Sequence, residues 1–311
     1  MRPPTASTPA VLAYERLRPL TIDPRRHPRH PQHLSAASGL VCCGGRVYVI
    51  ADDEHHVAVF SDRASPGDLY RIVPGDLPTG RKARKRRKPD LETLMWLPAG
   101  LAPAGAALLA LGSGSRPTRD TGVRVPLRAD GLPSARVRRF DLRPLYDPLR
   151  ARLGEINIEG AMRIGDTVLL LNRGVGDSAT NAAVCYRLRD VLGVVDGAAT
   201  EVRPVSIREY DLGRIDGIAL GFTDAAVLPG GGWAFTAVAE DTRDSVADGA
   251  CAGSVVGTVD ARGRVASVRR LAGRTKVEGI DLHATLDGIS ICLVTDADDP
   301  AQSSWLLRAR L

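Results

Sequence analysis

Glu159-Gly160-Ala161 places a carboxylate two residues before a small apolar side chain, at the start of an apolar, strand-like run. The arrangement recurs, with Ser, Thr or Glu in the first position and an aliphatic residue or Ala in the third. The five copies begin at Ser38, Glu92, Glu159, Thr223 and Glu278, so that their first residues are 54, 67, 64 and 55 positions apart. A pattern that returns along the whole chain in this way indicates a repeat protein.

Each repeat divides into about four candidate strands, which are bounded by Gly, Pro, Asp and Asn. The repeats span about 38–75, 90–142, 157–210, 222–271 and 276–311. The fifth repeat ends one strand short, and residues 12–20 alternate well enough to supply the missing strand. Because a closed ring of four-stranded sheets protects strand edges, the sequence predicts a single all-β domain over 1–311, a five-bladed β-propeller closed by its N-terminal strand.

Two other all-β arrangements are compatible with the same strands. One is a propeller of six blades, and the other is an irregular pair of β-sandwiches in which the short motifs agree by accident. Helix is scarce, and residues 187–195 form the main helical candidate. A TIM barrel or a Rossmann fold would need many amphipathic helices, which this sequence lacks.

The composition is that of an ordinary globular protein, with 44% hydrophobic and 25% charged residues in 311. No apolar stretch approaches the roughly 18 residues of a membrane-spanning helix, so we expect no membrane association. The five cysteines include no Cys-x-x-Cys pair, and the N-terminus does not resemble a secretion signal. We therefore expect reduced thiols and a cytoplasmic location.

The net charge of +6 comes from one short segment. Seven of the eight residues 81–88 are basic, and without those seven the chain would carry a charge of −1. Such a run can contact nucleic-acid phosphates, but no aromatic residues are interleaved with it, so we expect a solvated or disordered loop and no nucleic-acid partner. His27, His30 and His33 lie in a Pro-rich segment that could bind a transition metal, although an exposed linker is the simpler interpretation.

In a propeller, the first residues of the five motifs would occupy equivalent positions. The innermost strands surround a central channel, so Ser38, Glu92, Glu159, Thr223 and Glu278 would form a ring around one axis. Three converging carboxylates must take up protons, bind water or hold a cation. Oxygen ligands without Cys or His suit Ca²⁺, which we therefore predict as the cofactor. Alternatively, the glutamates cap main-chain amides around a hydrated channel.

The order of these ring residues resembles the soluble calcium-activated nucleotidases, or apyrases, which are five-bladed propellers with a central Ca²⁺. Ser38, Glu92, Glu159 and Glu278 match that ring, and Thr223 stands where the family has Ser. The resemblance implies a Ca²⁺ ligand ring and hydrolysis of a phosphorylated substrate.

Other short elements extend the comparison. Ile158-Glu159-Gly160 and Val277-Glu278-Gly279-Ile280 are similar to elements of esterase-like and phytase-like propellers and of bacterial propeller families of unknown function. Asp52-Asp53 resembles a pair in the first apyrase blade, although Glu54-His55-His56 follows where apyrases have Arg-Thr-Gly.

Successive strands of a blade are antiparallel, so the end of each second strand should lie on the same face as the ring. Asp52, Glu240 or Asp296 could then act as a general base, and Arg173 could stabilise charge in the transition state. Arg116, Lys276 and the basic run would attract an anionic small molecule. These residues predict a Ca²⁺-dependent hydrolase; the alternative is a non-catalytic propeller whose metal only holds the blades together.

Overall fold

Strands make up most of the chain, and they begin near its N-terminus. The computed structural model describes residues 11–61, 64–101, 105–174, 180–241 and 249–311. Ahead of the first repeat lie β1 (Val11–Leu12) and β2 (Tyr14–Pro19).

The remaining strands follow in five groups along the chain. The first group contains β3 (Ala37–Cys43), β4 (Arg46–Ala51), β5 (His56–Phe60) and β6 (Asp68–Arg71). The second contains β7 (Leu91–Leu97), β8 (Ala107–Gly112), β9 (Thr121–Pro126) and β10 (Arg138–Asp141). The third contains β11 (Ile158–Ile164), β12 (Thr167–Asn172), β13 (Asn181–Arg187) and β14 (Ser206–Tyr210).

The fourth group begins with a short hairpin and contains β15 (Arg214–Ile215), β16 (Ile218–Val227), β17 (Trp233–Asp241), β18 (Ala250–Val259) and β19 (Val265–Leu271). The fifth contains β20 (Val277–Thr285), β21 (Gly288–Thr295) and β22 (Trp305–Arg310). Each group forms one sheet, in which strands that follow one another along the chain are also hydrogen-bonded neighbours.

The sheets are arranged as blades around one axis. Strand β3 contacts β7, β7 contacts β11, and the ring continues through β16 and β20 back to β3. The fold is therefore the predicted five-bladed β-propeller. The described residues form neither a sixth blade nor a pair of β-sandwiches, so both alternatives are wrong.

The N-terminal segment closes the ring, as predicted. Strand β2 pairs antiparallel with β22 and becomes the fourth strand of the last blade. An additional link was not predicted: β1 pairs in parallel with β19, so that Val11 lies opposite Arg270. The same short segment thus joins the fourth and fifth blades.

Hydrophobic side chains fill the spaces between blades. Within the described residues, five apolar clusters lie at the five junctions of neighbouring blades. At the junction of the third and fourth blades, Phe222 packs edge-on against Phe235 with ring centroids 5.3 Å apart. Strands in the interior of a blade bury side chains on both faces of the sheet, so the run His56–Phe60 is buried throughout.

Within the described residues, three α-helices lie between strands: α1 (Arg81–Arg87), α2 (Arg143–Leu153) and α3 (Leu188–Val195). Single 3₁₀ turns lie at Pro24–Arg26 and Pro117–Arg119. Helix α3 confirms the candidate at 187–195. The expectation of a disordered basic loop is wrong, because most of that run is α1. Helix α2 was missed because Pro144 and Pro148 argue against a helix, although its Leu145 and Leu149 are buried one turn apart.

All five cysteines are free. The apolar runs around Cys185 and Cys292 predict two core cysteines, but only Cys292 is buried and Cys185 is half-buried. Among the described residues, no helix is both long and apolar enough to cross a bilayer.

Candidate functional site

Each of the five predicted ring residues occupies the same special position in its strand. In the first blade, Ala37 pairs with Ala51 and Gly39 pairs with Ile50, which leaves Ser38 as the extra residue of a β-bulge. The same shift of register occurs at Glu92, Glu159, Thr223 and Glu278. A bulge bends the strand and redirects the side chain of the extra residue. The sequence repeat therefore corresponds to a repeated backbone irregularity beside the channel.

The glycine that follows three of these residues has a packing role. A Cβ atom on Gly160 would lie 3.0 Å from the Cα atom of Asp224 in the next inner strand, and one on Gly39 would lie 3.2 Å from the main-chain nitrogen of Leu94. Gly279 is equally close to the first blade. The Glu-Gly element thus combines a redirected carboxylate with close approach of the neighbouring strand.

One cavity of about 140 Å³ collects most of the predicted site residues at one end of the channel. Its walls include four ring residues and the four predicted catalytic residues, which are Ser38, Glu92, Glu159, Glu278, Asp52, Arg173, Glu240 and Asp296. Thr223 does not line this cavity and is fully buried, and Arg116 does not line it either.

Sequence reasoning missed several residues of the same walls. Asp90 and Asn157 lie two positions before Glu92 and Glu159, as Lys276 lies before Glu278, and this shared offset was the available signal. Asp90 also adopts a left-handed backbone conformation with φ of 55°. Arg119 reaches the cavity from the 3₁₀ turn at Pro117–Arg119, where no sequence pattern marked it.

The two ring hydroxyls make hydrogen bonds between blades. Ser38 Oγ donates to the carbonyl oxygen of Leu91 at 2.6 Å, and Thr223 Oγ1 lies 2.9 Å from the carbonyl oxygen of Val277. Both hydroxyls thus bind the main chain of the next blade, directly before its ring glutamate. A cation could use only the lone pairs that these bonds leave.

Arg173 and Lys276 are buried among the carboxylates of the third, fourth and fifth blades. Arg173 donates to Glu240 at 2.6 Å, and its guanidinium lies 3.7 Å from Glu159 Oε2. Lys276 Nζ lies 2.9 Å from Asp298 Oδ1 and 3.3 Å from Glu278 Oε1. The geometry of the last pair is not that of a hydrogen bond, so the buried Glu278 Oε1 accepts none from the described residues.

A second group of acids gathers around Lys88. Carboxylate oxygens of Asp52, Asp90 and Glu92 lie within 4.8 Å of one another. The Lys88 ammonium binds Asp52 and lies 2.7 Å from Asp90 Oδ1. Glu92 forms no hydrogen bond or ion pair of its own within the described part of the chain. This group therefore has a cation on one side and an unpaired carboxylate on the other.

Burial dominates the protonation of these acids. It raises the pKa of Glu159 to about 8, against the opposing effect of Arg173, and the pKa of Asp52 to about 6, against Lys88. Burial, together with Asp90 and Glu159, raises the pKa of Glu92 well above its ordinary value. For Asp90, burial acts in the same direction, but Lys88 and Arg119 outweigh it and lower the pKa. With a pKa of about 8, Glu159 keeps its proton at neutral pH.

The charge balance tests whether a cation would suit the cavity. Among the described residues, ten carboxyl groups and seven cationic side chains line it, an excess of three acids over bases. The ring residues that line the cavity offer only oxygen ligands, and Glu278 Oε1 accepts no hydrogen bond from the described residues. These properties fit a hard cation such as Ca²⁺, which prefers oxygen ligands and tolerates irregular geometry.

The histidines of the Pro-rich segment do not cluster with one another. His27 is buried, so the expectation of an exposed linker is wrong for this residue. Its Nδ1 accepts a hydrogen bond from the Arg29 amide at 3.1 Å, and its Nε2 lies 2.7 Å from Glu54 Oε2. With Nδ1 as an acceptor, Nε2 carries the proton and donates to Glu54. His56 lies beside this pair, but the His27 ring has no nitrogen free for a metal, and it anchors the segment to the first blade.

Fold and cavity together define a five-bladed β-propeller with a charged site on its axis. The chain belongs to DUF6929, a family of unknown function whose model matches residues 33–311. No curated protein is significantly similar to it in sequence.

Solved structures resemble the chain in fold. An α-L-arabinofuranosidase from Podospora anserina is 11% identical with a TM-score of 0.51, and 97% of each chain is covered. Glutaminyl cyclase from Myxococcus xanthus is 11% identical with a TM-score of 0.49, over 97% of this chain and 99% of that chain. Regucalcin from Agrobacterium tumefaciens, a calcium-binding protein, is 10% identical with a TM-score of 0.46, over 97% of each chain. At such low identity, similarity concerns the fold and not the activity.

Proposed function

We propose that the axial cavity binds Ca²⁺ and, above it, an anionic small molecule. The observation that carries this proposal is the excess of three acids over bases in a cavity whose buried Glu278 Oε1 accepts no hydrogen bond from the described residues. Glu92, Glu159 and Glu278 would hold the ion, while the hydroxyls of Ser38 and Thr223 hold the main chain of the next blade. Binding would replace the protons that burial now keeps on these acids.

The cationic side chains of the same walls favour an anionic ligand. Arg173 and Lys276 lie deep in the cavity, whereas Arg81, Arg84 and Lys85 of α1 line its outer part. Guanidinium groups bind phosphate oxygens through paired hydrogen bonds. A phosphorylated small molecule, bound with its phosphate toward the ion, is therefore the ligand class that this arrangement suits.

The chemistry that this geometry supports best is hydrolysis of a phosphoester. When bound, Ca²⁺ supplies charge stabilisation to a phosphoryl oxygen. Asp52 is the strongest candidate base, because its pKa of about 6 suits proton abstraction near neutral pH. Arg173 would stabilise developing negative charge, and Glu240 would orient Arg173 through their 2.6 Å hydrogen bond.

A second candidate function is a binding propeller without catalysis. It is favoured by the shifted pKa values of Glu240 and Asp296, the other two proposed bases. Although burial acts to raise it, Lys276 and Arg173 keep the pKa of Glu240 low, and a carboxylate held in this way is a weak base. Burial raises the pKa of Asp296 well above its ordinary value, which disfavours the ionised form that a general base needs. Only Asp52 then remains for general-base catalysis.

The test is the metal content of the purified protein by mass spectrometry, together with a thermal melt with and without EGTA. We expect about one Ca²⁺ per chain and a lower melting temperature in EGTA. Nucleotides and other phosphoesters should then be screened for Ca²⁺-dependent release of phosphate. Absence of Ca²⁺ binding would refute the metal site, and binding without turnover of any phosphoester would favour the non-catalytic function.

A further inference from the structure

Lys88 occupies the position that a cation would take among three carboxylates. Its ammonium binds Asp52 and lies 2.7 Å from Asp90 Oδ1, and oxygens of these two acids lie within 4.8 Å of a Glu92 oxygen. Only 11% of the Lys88 side chain is exposed. Because Glu92 is also a proposed Ca²⁺ ligand, the ammonium and the ion would attract the same oxygens and repel each other.

Helix α1 delivers this ammonium to the cavity. Lys88 follows the last residue of the helix, and its amide donates to the carbonyl of Arg84 at 2.8 Å. Arg81, Arg84, Lys85 and Lys88 follow helical spacing, and all four line the cavity. The basic run is therefore a helix that lies along the cavity mouth with one cationic face turned inward.

Ionic contacts, rather than apolar packing, hold the helix in this place. Arg84 is the only buried residue of α1, and its Nε donates to Asp53 Oδ2 at 2.7 Å. No α1 residue belongs to an apolar cluster of the described chain. Gly80 at the N-cap offers no side-chain hydrogen bond, and a seven-residue helix is marginal by itself. Displacing α1 would thus expose little hydrophobic surface.

A second, independent observation that points to a ligand concerns Glu278. Glu278 is 5% exposed and lines the same cavity, and its Oε1 accepts no hydrogen bond from the described residues. The Lys88 ammonium is not among the cations within ion-pair distance of Glu278, which are Lys276 and Arg173. Lys88 therefore pairs with Asp52 and Asp90 but not with Glu278, whose Oε1 accepts no hydrogen bond from the described residues.

We propose that Lys88 is a built-in competitor of Ca²⁺ and that α1 is a latch, which Ca²⁺ binding releases from the cavity mouth. This inference rests on the proposed calcium site and concerns its regulation. In the latched state, Lys88 balances Asp52 and Asp90. When Ca²⁺ binds at Glu92, it repels the Lys88 ammonium, and α1 loses the contact that fixes its C-terminal end.

Calorimetric titration with Ca²⁺ tests the competition in the Lys88→Gln variant. We expect Lys88→Gln to bind Ca²⁺ about 10-fold more tightly than the unmodified protein, a coupling of ordinary size for two linked sites. Arg87→Gln is the matched control, because it also removes one positive charge but from the exposed face of α1. Equal affinity of the unmodified protein and both variants would overturn the competition while leaving the calcium site intact.

Limited proteolysis of the unmodified protein tests release of the latch without any substitution. Trypsin cleaves after Lys and Arg, and α1 contains six such residues. We expect Ca²⁺ to accelerate cleavage within α1 several-fold, and Lys88→Gln to be cleaved rapidly with or without Ca²⁺. Unchanged cleavage on Ca²⁺ binding would refute the latch. If no form of the protein binds Ca²⁺, the proposed function fails first and this inference fails with it.

Discussion

The hydroxyl of Ser38 in the first blade donates a hydrogen bond to the carbonyl of Leu91 in the second blade, 2.6 Å away and directly before Glu92. Thr223 lies 2.9 Å from the carbonyl of Val277, directly before Glu278. The two hydroxyls of the ring therefore connect blades at the positions where the adjacent glutamate turns toward the axis. The hydroxyls therefore have a structural role that does not depend on binding a metal.

Ser38→Ala should lower the free energy of unfolding by about 1–3 kcal/mol, because it leaves the buried Leu91 carbonyl without its partner. The loss should be equal in EGTA and in Ca²⁺, as measured by urea denaturation. Ser303→Ala, a substitution of a less buried serine outside the ring, is a suitable control. A loss that appears only in Ca²⁺ would identify the hydroxyl as a metal ligand instead.

Glu159→Gln should abolish most of the stabilisation by Ca²⁺, because a neutral amide replaces a carboxylate of the proposed ligand ring. The shift of melting temperature between EGTA and Ca²⁺ measures the effect. Glu209→Gln changes an exposed residue of β14 in the same blade and should retain the full shift. A Glu159→Gln variant with an unchanged response to EGTA would show that Glu159 caps the structure without binding metal.

Stability of the metal-free protein should fall as the pH rises. Burial raises the pKa of Glu159 from 4.5 to about 8, so the folded protein keeps a proton that the unfolded chain releases between these values. Below about pH 4.5 both states are protonated and the penalty vanishes; above about pH 8 it is complete. Such a group contributes a slope of up to about 1.4 kcal/mol per pH unit.

Glu159→Gln should reduce this slope in urea denaturation between about pH 5 and pH 8 in EGTA. Asp52, with a pKa of about 6, should account for part of the slope that remains at the acidic end. The same slope in the variant and the unmodified protein would contradict the raised pKa of Glu159.

Arg173→Lys is the variant that tests transition-state stabilisation. Arg173→Ala would leave three buried carboxylates without their guanidinium and should cost about 3–5 kcal/mol of stability, which obscures kinetics. The lysine keeps the charge but loses the paired donors, so kcat for the best phosphoester found by screening should fall about 100-fold. An unchanged kcat in a folded Arg173→Lys protein would remove Arg173 from the reaction.

Deletion of residues 1–19 should destabilise the ring at its closure. Strand β22 would lose its outer partner, and the exposed edge should promote association. We expect a lower urea midpoint and a concentration-dependent increase in size by light scattering. A monomer of unchanged stability would show that β2 is dispensable for closing the propeller.

Much of the fold could be predicted from the chain because its information is local and repeated. Alternating apolar runs identified the strands, the short fifth repeat identified the closing strand, and the apolar spacing at 187–195 identified α3. Local signals misled elsewhere: the prolines at 144 and 148 concealed α2, and the density of charge at 81–88 concealed α1. His27 was misjudged because its partner, Glu54, lies 27 positions later.

The candidate site was predictable only in part, because the repeated motif is local whereas the charge partners of its residues are distant in sequence. Ser38, Glu92, Glu159 and Glu278 belong to the repeated motif, and the structure brings them to one cavity together with Asp52, Arg173, Glu240 and Asp296. The roles of these residues remain predictions. What the motif could not convey is how the carboxylates are neutralised, since Lys88, Arg173 and Lys276 come from three different sequence contexts.

The sequence by itself determined the five bladed units, their closure by the N-terminus and the ring of polar residues at the inner strands. These follow from period, alternation and the Glu-Gly element, which are properties of neighbouring residues. Tertiary structure alone decided which charges meet, which hydroxyl bonds to which blade and where α1 lies. Electrostatic partners are chosen by distance in space, and the closure of a ring brings together side chains that no sequence spacing relates.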